Sequence, residues 1–268
     1  MLAILDAVVL GIIEGLTEFL PISSTGHLIV AGRVLDFKDS HDIFTVVIQV
    51  GAIAAVIWFF RQDLTRRVLG LLRGDKQAVQ FWKLLLIASI PAGLLGLALD
   101  AYIEKITVPV VVAIALIAGG IVLWLVDRRP VPRHDVEPKI DSIKGRQAWL
   151  VGFGQCLALV PGVSRSGATI ISGLAAGMDR PTATAFSFYL SIPVLAAASG
   201  YKLIAHGDSL DNISGGVAAI LVGMGLAFIT ALAAISWLLH FVSRHNFKSF
   251  AYYRIILGVG ILIFLGVS

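Results

Sequence analysis

Residues 11–28 read GIIEGLTEFLPISSTGHL, and residues 152–169 read GFGQCLALVPGVSRSGAT. A shift of 141 residues superimposes Gly11 on Gly152, Glu14 on Gln155, Ser23 on Ser164, Thr25 on Ser166 and Gly26 on Gly167. Each copy is a polar kink set in apolar sequence. Proline cannot continue a helix and glycine accepts bent backbone, so the chain is expected to leave helical geometry at Pro21–Gly26 and again at Pro161–Gly167. The copies are unequal in chemistry. The first keeps Glu14, Glu18, Ser24 and His27, where the second has Gln155, Leu159, Arg165 and Ala168.

The setting of the kinks defines the fold class. Of 268 residues, 57% are hydrophobic and only 14% charged, with a mean hydropathy of +0.90, whereas a soluble domain carries about a quarter charged residues. An all-α polytopic membrane protein is expected, with no room for a separate soluble head. Six apolar runs, 44–60, 82–99, 106–126, 181–201, 215–239 and 249–268, have the length to cross a hydrocarbon core about 30 Å thick. Two longer stretches, 1–35 and 147–177, are broken by the kinks and read as re-entrant helical hairpins. Backbone groups freed at membrane depth are tolerated only against protein or a water-filled cavity, so each kink should line a polar space. Arg254, near one end of the last run, is expected to snorkel to the interface beside the aromatic pair Tyr252 and Tyr253.

Lysine and arginine counts orient the chain. Loops 61–83 and 127–146 carry six each and stretch 240–254 three, whereas 100–105 and 202–211 hold one apiece. The basic loops are expected inside. Both ends of the first hairpin, residue 41 and both termini then lie outside, while the second hairpin starts and ends inside. Repeat one (1–126) and repeat two (147–268), joined by the inside loop 127–146, each hold one hairpin and three spans. An odd number of spans inverts the second copy, giving the inverted-topology repeat of transporter folds. The hairpins then meet from opposite faces, with Glu14, Glu18, Ser24 and His27 opposite Ser164, Arg165 and Ser166.

Other classes are disfavoured. A net charge of +4 and a pI near 9.3 could suggest nucleic acid, but the basic residues sit in short loops between apolar runs, so none is expected as a partner. The single cysteine, Cys156, excludes an internal disulfide and a multi-cysteine metal site. Met1–Val9 lacks a basic segment and contains Asp6, so the first hairpin is expected to be retained rather than cleaved as a signal. There is no zinc-protease helix motif, no phosphate-loop motif and no ladder of regularly spaced arginines.

Ionisable groups inside membrane sequence are costly, which makes their default reading functional. Glu14 and Glu18 lie one turn apart on one helix face, and a divalent cation, a shared proton or Arg165 would relieve their repulsion. Ser24 and His27 sit where a helix resumes, offering a nucleophile, a base and backbone amides. Arg165 is permanently charged, and its planar fork suits phosphate or carboxylate. Ser164, Ser166 and Gly167 around it form a nest-like loop. Gln49, Ser89 and Ser191 are isolated polar residues that either pack helices or line a cavity.

With these residues in view, EGLTEFLPISSTGH (14–27) and PGVSRSGAT (161–169) resemble the two signature motifs of the bacterial undecaprenyl pyrophosphate phosphatases of the bacitracin-resistance type. The likeness covers the whole chain in length and hydropathy, and neither motif departs from the family pattern. It implies removal of the terminal phosphate of a C55 polyprenyl diphosphate, recycling the lipid carrier for peptidoglycan and other envelope polymers. It further implies a divalent cation, Mg2+ or Ca2+, and a site open to the outer face of the cytoplasmic membrane. Carried onto this chain, Glu14 and Glu18 bind the cation or tune the base, Ser24 or His27 is the nucleophile, and Arg165 holds the diphosphate. Ser164, Ser166, Thr25, Gly26 and Thr169 are assigned to the same diphosphate site. The partners implied are the lipid substrate and membrane lipids, with a homodimer left open.

The residues suggest a mechanism in which Glu18 orients His27, His27 deprotonates Ser24, and Ser24 attacks the terminal phosphorus. Direct attack by His27 is the variant. A lipid flippase or transporter is the rival class, since it would use the same inverted repeat and Arg165. It would have no use for Ser24 beside His27.

Overall fold

The computed structural model describes residues 2–37, 39, 43–128, 137–208, 213 and 215–267. The described residues are helical without strands. In chain order they form α1 (Leu2–Thr17), α2 (Ser24–Val34), α3 (Ile43–Phe59), α4 (Arg61–Leu72), α5 (Lys76–Ile106), α6 (Pro109–Val126), α7 (Gly145–Cys156), α8 (Arg165–Ala175), α9 (Arg180–His206), α10 (Gly216–Arg244) and α11 (Lys248–Val267).

The 141-residue shift seen in the motifs extends through the helices. α8 starts 141 residues after α2 and, like it, is 11 residues long. α6 shifted likewise falls on 250–267, the last 18 residues of α11. The packing follows the same rule: α1 packs on α10 and its counterpart α7 on α5, while α6 pairs with α11 and α3 with α9. Close approach needs small residues. Gly11 and Gly152, one shift apart, both supply it: a Cβ on Gly11 would lie 2.4 Å from the Gly223 carbonyl oxygen, and one on Gly152 2.8 Å from that of Ala88.

Both kinks end in one backbone conformation. Ser23 has φ 72° and ψ 100°, and Ser164 has φ 73° and ψ 118°. Each serine caps the helix that follows, its Oγ accepting from Gly26 N at 3.4 Å or from Gly167 N at 3.1 Å. A serine side chain satisfies an otherwise free amide of the first turn, which is how a helix restarts inside apolar surroundings.

Five helices, α5, α6, α9, α10 and α11, are long and apolar enough to cross a membrane, and α3 with α4 makes a sixth if that bent pair is one span. The run expected at 44–60 is α3, and a 76° bend at Phe60 separates it from α4. The expected outer loop 100–105 is instead the end of α5. Its sequence, DAYIEK, has no breaker, and Pro109 at the first turn of α6 sets the next helix. α9 likewise runs through 202 to His206. Residue 41, residues 129–136 of the expected inside loop, 209–211 of the expected outer loop and the terminal residues 1 and 268 lie outside the described residues.

Polar clamps hold the helix ends. Asp127, buried after α6, pairs with Arg180 at 2.6 Å and accepts the Phe247 amide at 2.6 Å, tying α6, α9 and the α10–α11 turn together. On α4, Asp63 accepts from Arg66, from Arg67 Nε at 2.7 Å and from the Tyr189 hydroxyl at 2.6 Å, while Arg67 reaches Asp141 at 2.7 Å. Burial pushes the Asp63 carboxyl up, but the hydrogen bonds from Tyr189, Arg67 and Arg66 outweigh it and hold the group below its usual range.

Candidate active site

Glu18 follows the last residue of α1 and stands where the two kinks touch. Its Oε2 accepts the Ser24 hydroxyl at 2.6 Å, and its Oε1 pairs with an Arg165 guanidinium nitrogen at 3.0 Å. Ser24 is the first residue of α2 and Arg165 the first of α8, so equivalent positions of the repeat supply a hydroxyl from one half and a cation from the other. Arg165 is fixed by a second bond to the Ser187 carbonyl at 2.9 Å and by the Phe19 ring, 5.7 Å from its guanidinium carbon. All three side chains are largely buried, and Nε of Arg165 has no hydrogen-bond partner among the described residues.

The other residues assigned to the diphosphate divide into two groups. Ser166, Ser164 and Thr169 are buried and committed to protein. Ser166 Oγ donates to the Leu20 carbonyl at 2.8 Å, a stitch between the kinks, and lies 3.0 Å from Ser164 Oγ. Thr169 Oγ1 donates back to the Arg165 carbonyl at 2.9 Å and lies 2.7 Å from Ser187 Oγ. These three hold the loop and helix that carry Arg165. Gly26 is buried and its amide donates to the capping Ser23 Oγ. Thr25 is exposed. It lines a cavity of about 540 Å3 together with Leu28, Arg33, Gln49, Thr107 and Lys202.

His27 departs from the expected relay. Its Nδ1 lies 2.7 Å from the Ser23 carbonyl and its Nε2 2.7 Å from the Tyr253 hydroxyl. A carbonyl accepts only, so Nδ1 carries a proton, and in the neutral imidazole Nε2 accepts from the phenol. Both ring nitrogens are thus engaged, and Glu18 bonds Ser24 directly instead of orienting His27. The imidazole also stacks on Tyr253, with centroids 5.6 Å apart and planes 4° from parallel. Sequence proximity suggested His27 as the partner of Ser24. The backbone turn at Ser23 brings Glu18 there in its place.

Glu14 is fully buried beside Gln49, and neither carboxylate oxygen has a hydrogen-bond partner within 3.5 Å among the described residues. Among the described residues no three His, Cys, Asp or Glu side chains converge on one point. Gln155, the repeat partner of Glu14, is also buried, its amide nitrogen reaching the Ala88 carbonyl at 3.5 Å and its oxygen unpaired. Ser89 and Ser191 bond carbonyls of their own helices, and Gln49 lines the cavity.

Arg254 corrects another expectation. It is 0% exposed and donates to carbonyls of both kinks and of α6 rather than snorkelling. Packing of α11 on α6 carries this position inward, opposite Gly119. Tyr253, read as an interfacial aromatic, is the partner of His27, and Ser187 on α9 positions Arg165. Ser187 is one polar residue within a long helix and carries no motif that would single it out.

Fold and site together define a polytopic membrane protein with a buried carboxylate, hydroxyl and guanidinium gathered between the halves of a repeat. The chain belongs to the family of bacitracin resistance protein BacA, whose model matches residues 7–260. It is 47% identical over 266 residues to undecaprenyl-diphosphatase 2 of Rhodospirillum rubrum, covering 98% of this chain and 95% of that protein. It is 46% identical over 265 residues to the undecaprenyl-diphosphatase of Acinetobacter baumannii, covering 97% and 95%. To the undecaprenyl-diphosphatase of Cupriavidus necator it is 45% identical over 279 residues, covering 97% and 94%.

Proposed function

We propose that this chain is a membrane phosphatase that hydrolyses undecaprenyl diphosphate to undecaprenyl phosphate and inorganic phosphate. The observation that carries the reading is the Glu18 carboxylate held at 2.6 Å from the Ser24 hydroxyl and at 3.0 Å from Arg165. A flippase would use the cation but would not need a hydroxyl bonded to a base. Similarity to the undecaprenyl-diphosphatases over nearly the whole chain supports the same reading.

In the first step Glu18 takes the Ser24 proton as Oγ forms a bond to the terminal phosphorus. The bond from that phosphorus to the bridging oxygen breaks, and the lipid monophosphate leaves. Neutralising Glu18 removes the anion that Arg165 was paired with, so its guanidinium turns to the oxygens where charge spreads in the transition state. Water then attacks the phosphoserine, and protonated Glu18 returns its proton to the departing Ser24 oxygen. Thr25 lies at the cavity wall, where a headgroup reaching Ser24 would pass. His27, held by Tyr253 and the Ser23 carbonyl, fixes the first turn of α2 behind Ser24.

The residues present fit a divalent cation: Glu14 offers two buried carboxylate oxygens with no hydrogen-bond partner among the described residues, one turn from Glu18. Two carboxylates suit a hard cation that takes its remaining ligands from water and substrate phosphate. Bound there, Mg2+ or Ca2+ would neutralise diphosphate charge. The kinks belong to re-entrant hairpins of opposite orientation in the bacterial cytoplasmic membrane, with the cavity open outward. Its wall carries Thr107 and Lys202, beside the two stretches poorest in basic residues.

The test is phosphate release from undecaprenyl diphosphate by the purified full chain in detergent with Mg2+, followed by trapping and mass-spectrometric mapping of a phosphorylated residue. Phosphate on Ser24, lost in Ser24→Ala and kept in His27→Ala, is the expected result. No phosphate release with Mg2+ or Ca2+ would overturn the function. Phosphate on His27 would overturn the assigned nucleophile.

A further inference from the structure

We infer that Arg254 is a positioning residue that sets the two kinks in one register, with Gly119 as the space it requires; the inference rests on the phosphatase reading. Arg254 is fully buried, and every partner it has among the described residues is a neutral carbonyl. Its Nε donates to Leu116 at 3.3 Å and one terminal nitrogen to Pro21 at 3.2 Å. The other terminal nitrogen donates to Ala115 at 3.3 Å, Gly162 at 3.2 Å and Val163 at 2.8 Å. Pro21 belongs to the first kink, Gly162 and Val163 to the second, and Ala115 and Leu116 to α6. One side chain therefore joins both non-helical segments to a helix that belongs to neither.

The chemistry explains why it is an arginine. Carbonyls in the kinks have left the helical ladder and lack its amides, and at membrane depth no bulk water replaces them. A guanidinium offers five donors in a rigid planar fork, whereas a lysine ammonium offers three from a single point. The fork can span carbonyls of three segments at once. Room for it comes from α6: a Cβ on Gly119 would lie 2.1 Å from a terminal nitrogen of Arg254, so any side chain there displaces the guanidinium from its carbonyls. Gly167, whose amide Ser164 caps, faces the other terminal nitrogen, which a Cβ there would meet at 2.8 Å.

Pro21 lies three residues before Ser24, and Val163 two before Arg165. Loosening this tie displaces the Ser24 hydroxyl and the Arg165 guanidinium relative to Glu18. It leaves the charges of the site intact. Displacement of about 1 Å costs on the order of 100-fold in rate.

The experiment uses the full chain in detergent and compares wild type, Arg254→Lys and Gly119→Ala by steady-state kinetics and by amide hydrogen exchange. Arg254→Lys keeps the charge and loses the fork. Gly119→Ala keeps the arginine and takes its space. Both variants should lose about 100-fold in kcat with KM within about threefold, and both should lose exchange protection in peptides spanning 19–24 and 160–166 while α3 and α9 stay protected. Gly119→Ala should cost little more in the Arg254→Lys background, because the space is then already vacated. Wild-type kcat in Arg254→Lys, or kinks that stay protected in both variants, would overturn the inference. Loss of protection throughout the helices in both variants would also overturn it, by making the role one of general stability. The exchange measurement does not depend on phosphate release, so it separates failure of this inference from failure of the phosphatase reading.

Discussion

Glu18 and Arg165, 147 residues apart, meet at 3.0 Å with both side chains largely buried, and Ser24 bonds the second oxygen of the same carboxylate. Three groups share one hydrogen-bonded unit, so they should act as one. Glu18→Gln and Arg165→Met are each expected to lower kcat/KM by about a thousandfold. The double variant should be little worse than the poorer single, as for residues that act together. Additive losses in a double-mutant cycle would show that the two work separately.

Glu14 has no such partner. Its carboxyl is the group a cation would satisfy, and Glu14→Gln should raise the Mg2+ concentration for half-maximal activity at least tenfold while leaving the metal-free protein about as stable, since a buried carboxyl is exchanged for an amide of the same shape. Titration of activity with Mg2+, beside thermal unfolding without metal, checks both halves of this expectation. An unchanged Mg2+ requirement would remove Glu14 from the cation site.

The left-handed backbone at Ser164 predicts an unusual order of stabilities. Ser164→Ala loses the cap to Gly167, costing about 1 kcal/mol, and keeps the strain at φ 73° that the wild-type serine already bears. Ser164→Gly loses the cap but relieves the strain, so it should unfold at a higher temperature than the alanine variant. Thermal unfolding in detergent decides the order.

Acid should weaken the α4 clamp. Asp63 has a folded-state value below the ordinary one near 3.8, so its ionised form stabilises the fold at higher pH. That contribution is full above the ordinary value and is lost as pH falls through the depressed one. Wild type should therefore lose stability on acidification below about pH 4, and Asp63→Asn should start lower at neutral pH with a flatter profile. Melting temperature against pH for the two proteins is the measurement.

Much of this was legible in the sequence. The kinks announce themselves through Pro21, Pro161 and the serines that follow, because breakers and polar groups in apolar runs have few structural explanations. The 141-residue register in the motifs extends to whole helices. The partner of each site residue was less legible. Ser24 and His27 are close in sequence, yet the positive φ at Ser23 sends the hydroxyl to Glu18 and leaves the imidazole to Tyr253, 226 residues away. Arg254 was opaque for the same reason. An arginine near the end of an apolar helix looks like any snorkelling cation, and what holds it inside is a glycine 135 positions earlier.

The cavity beside Thr25 has a further consequence. At about 540 Å3 it matches the pockets that enclose an ordinary small ligand, far short of a fifty-five-carbon chain. If the headgroup enters by this cavity, the isoprenoid tail is solvated by the bilayer and not by the protein. Selection falls on the diphosphate and the first few carbons, and diphosphates with shorter polyprenyl tails should turn over at similar rates so long as they stay in the membrane.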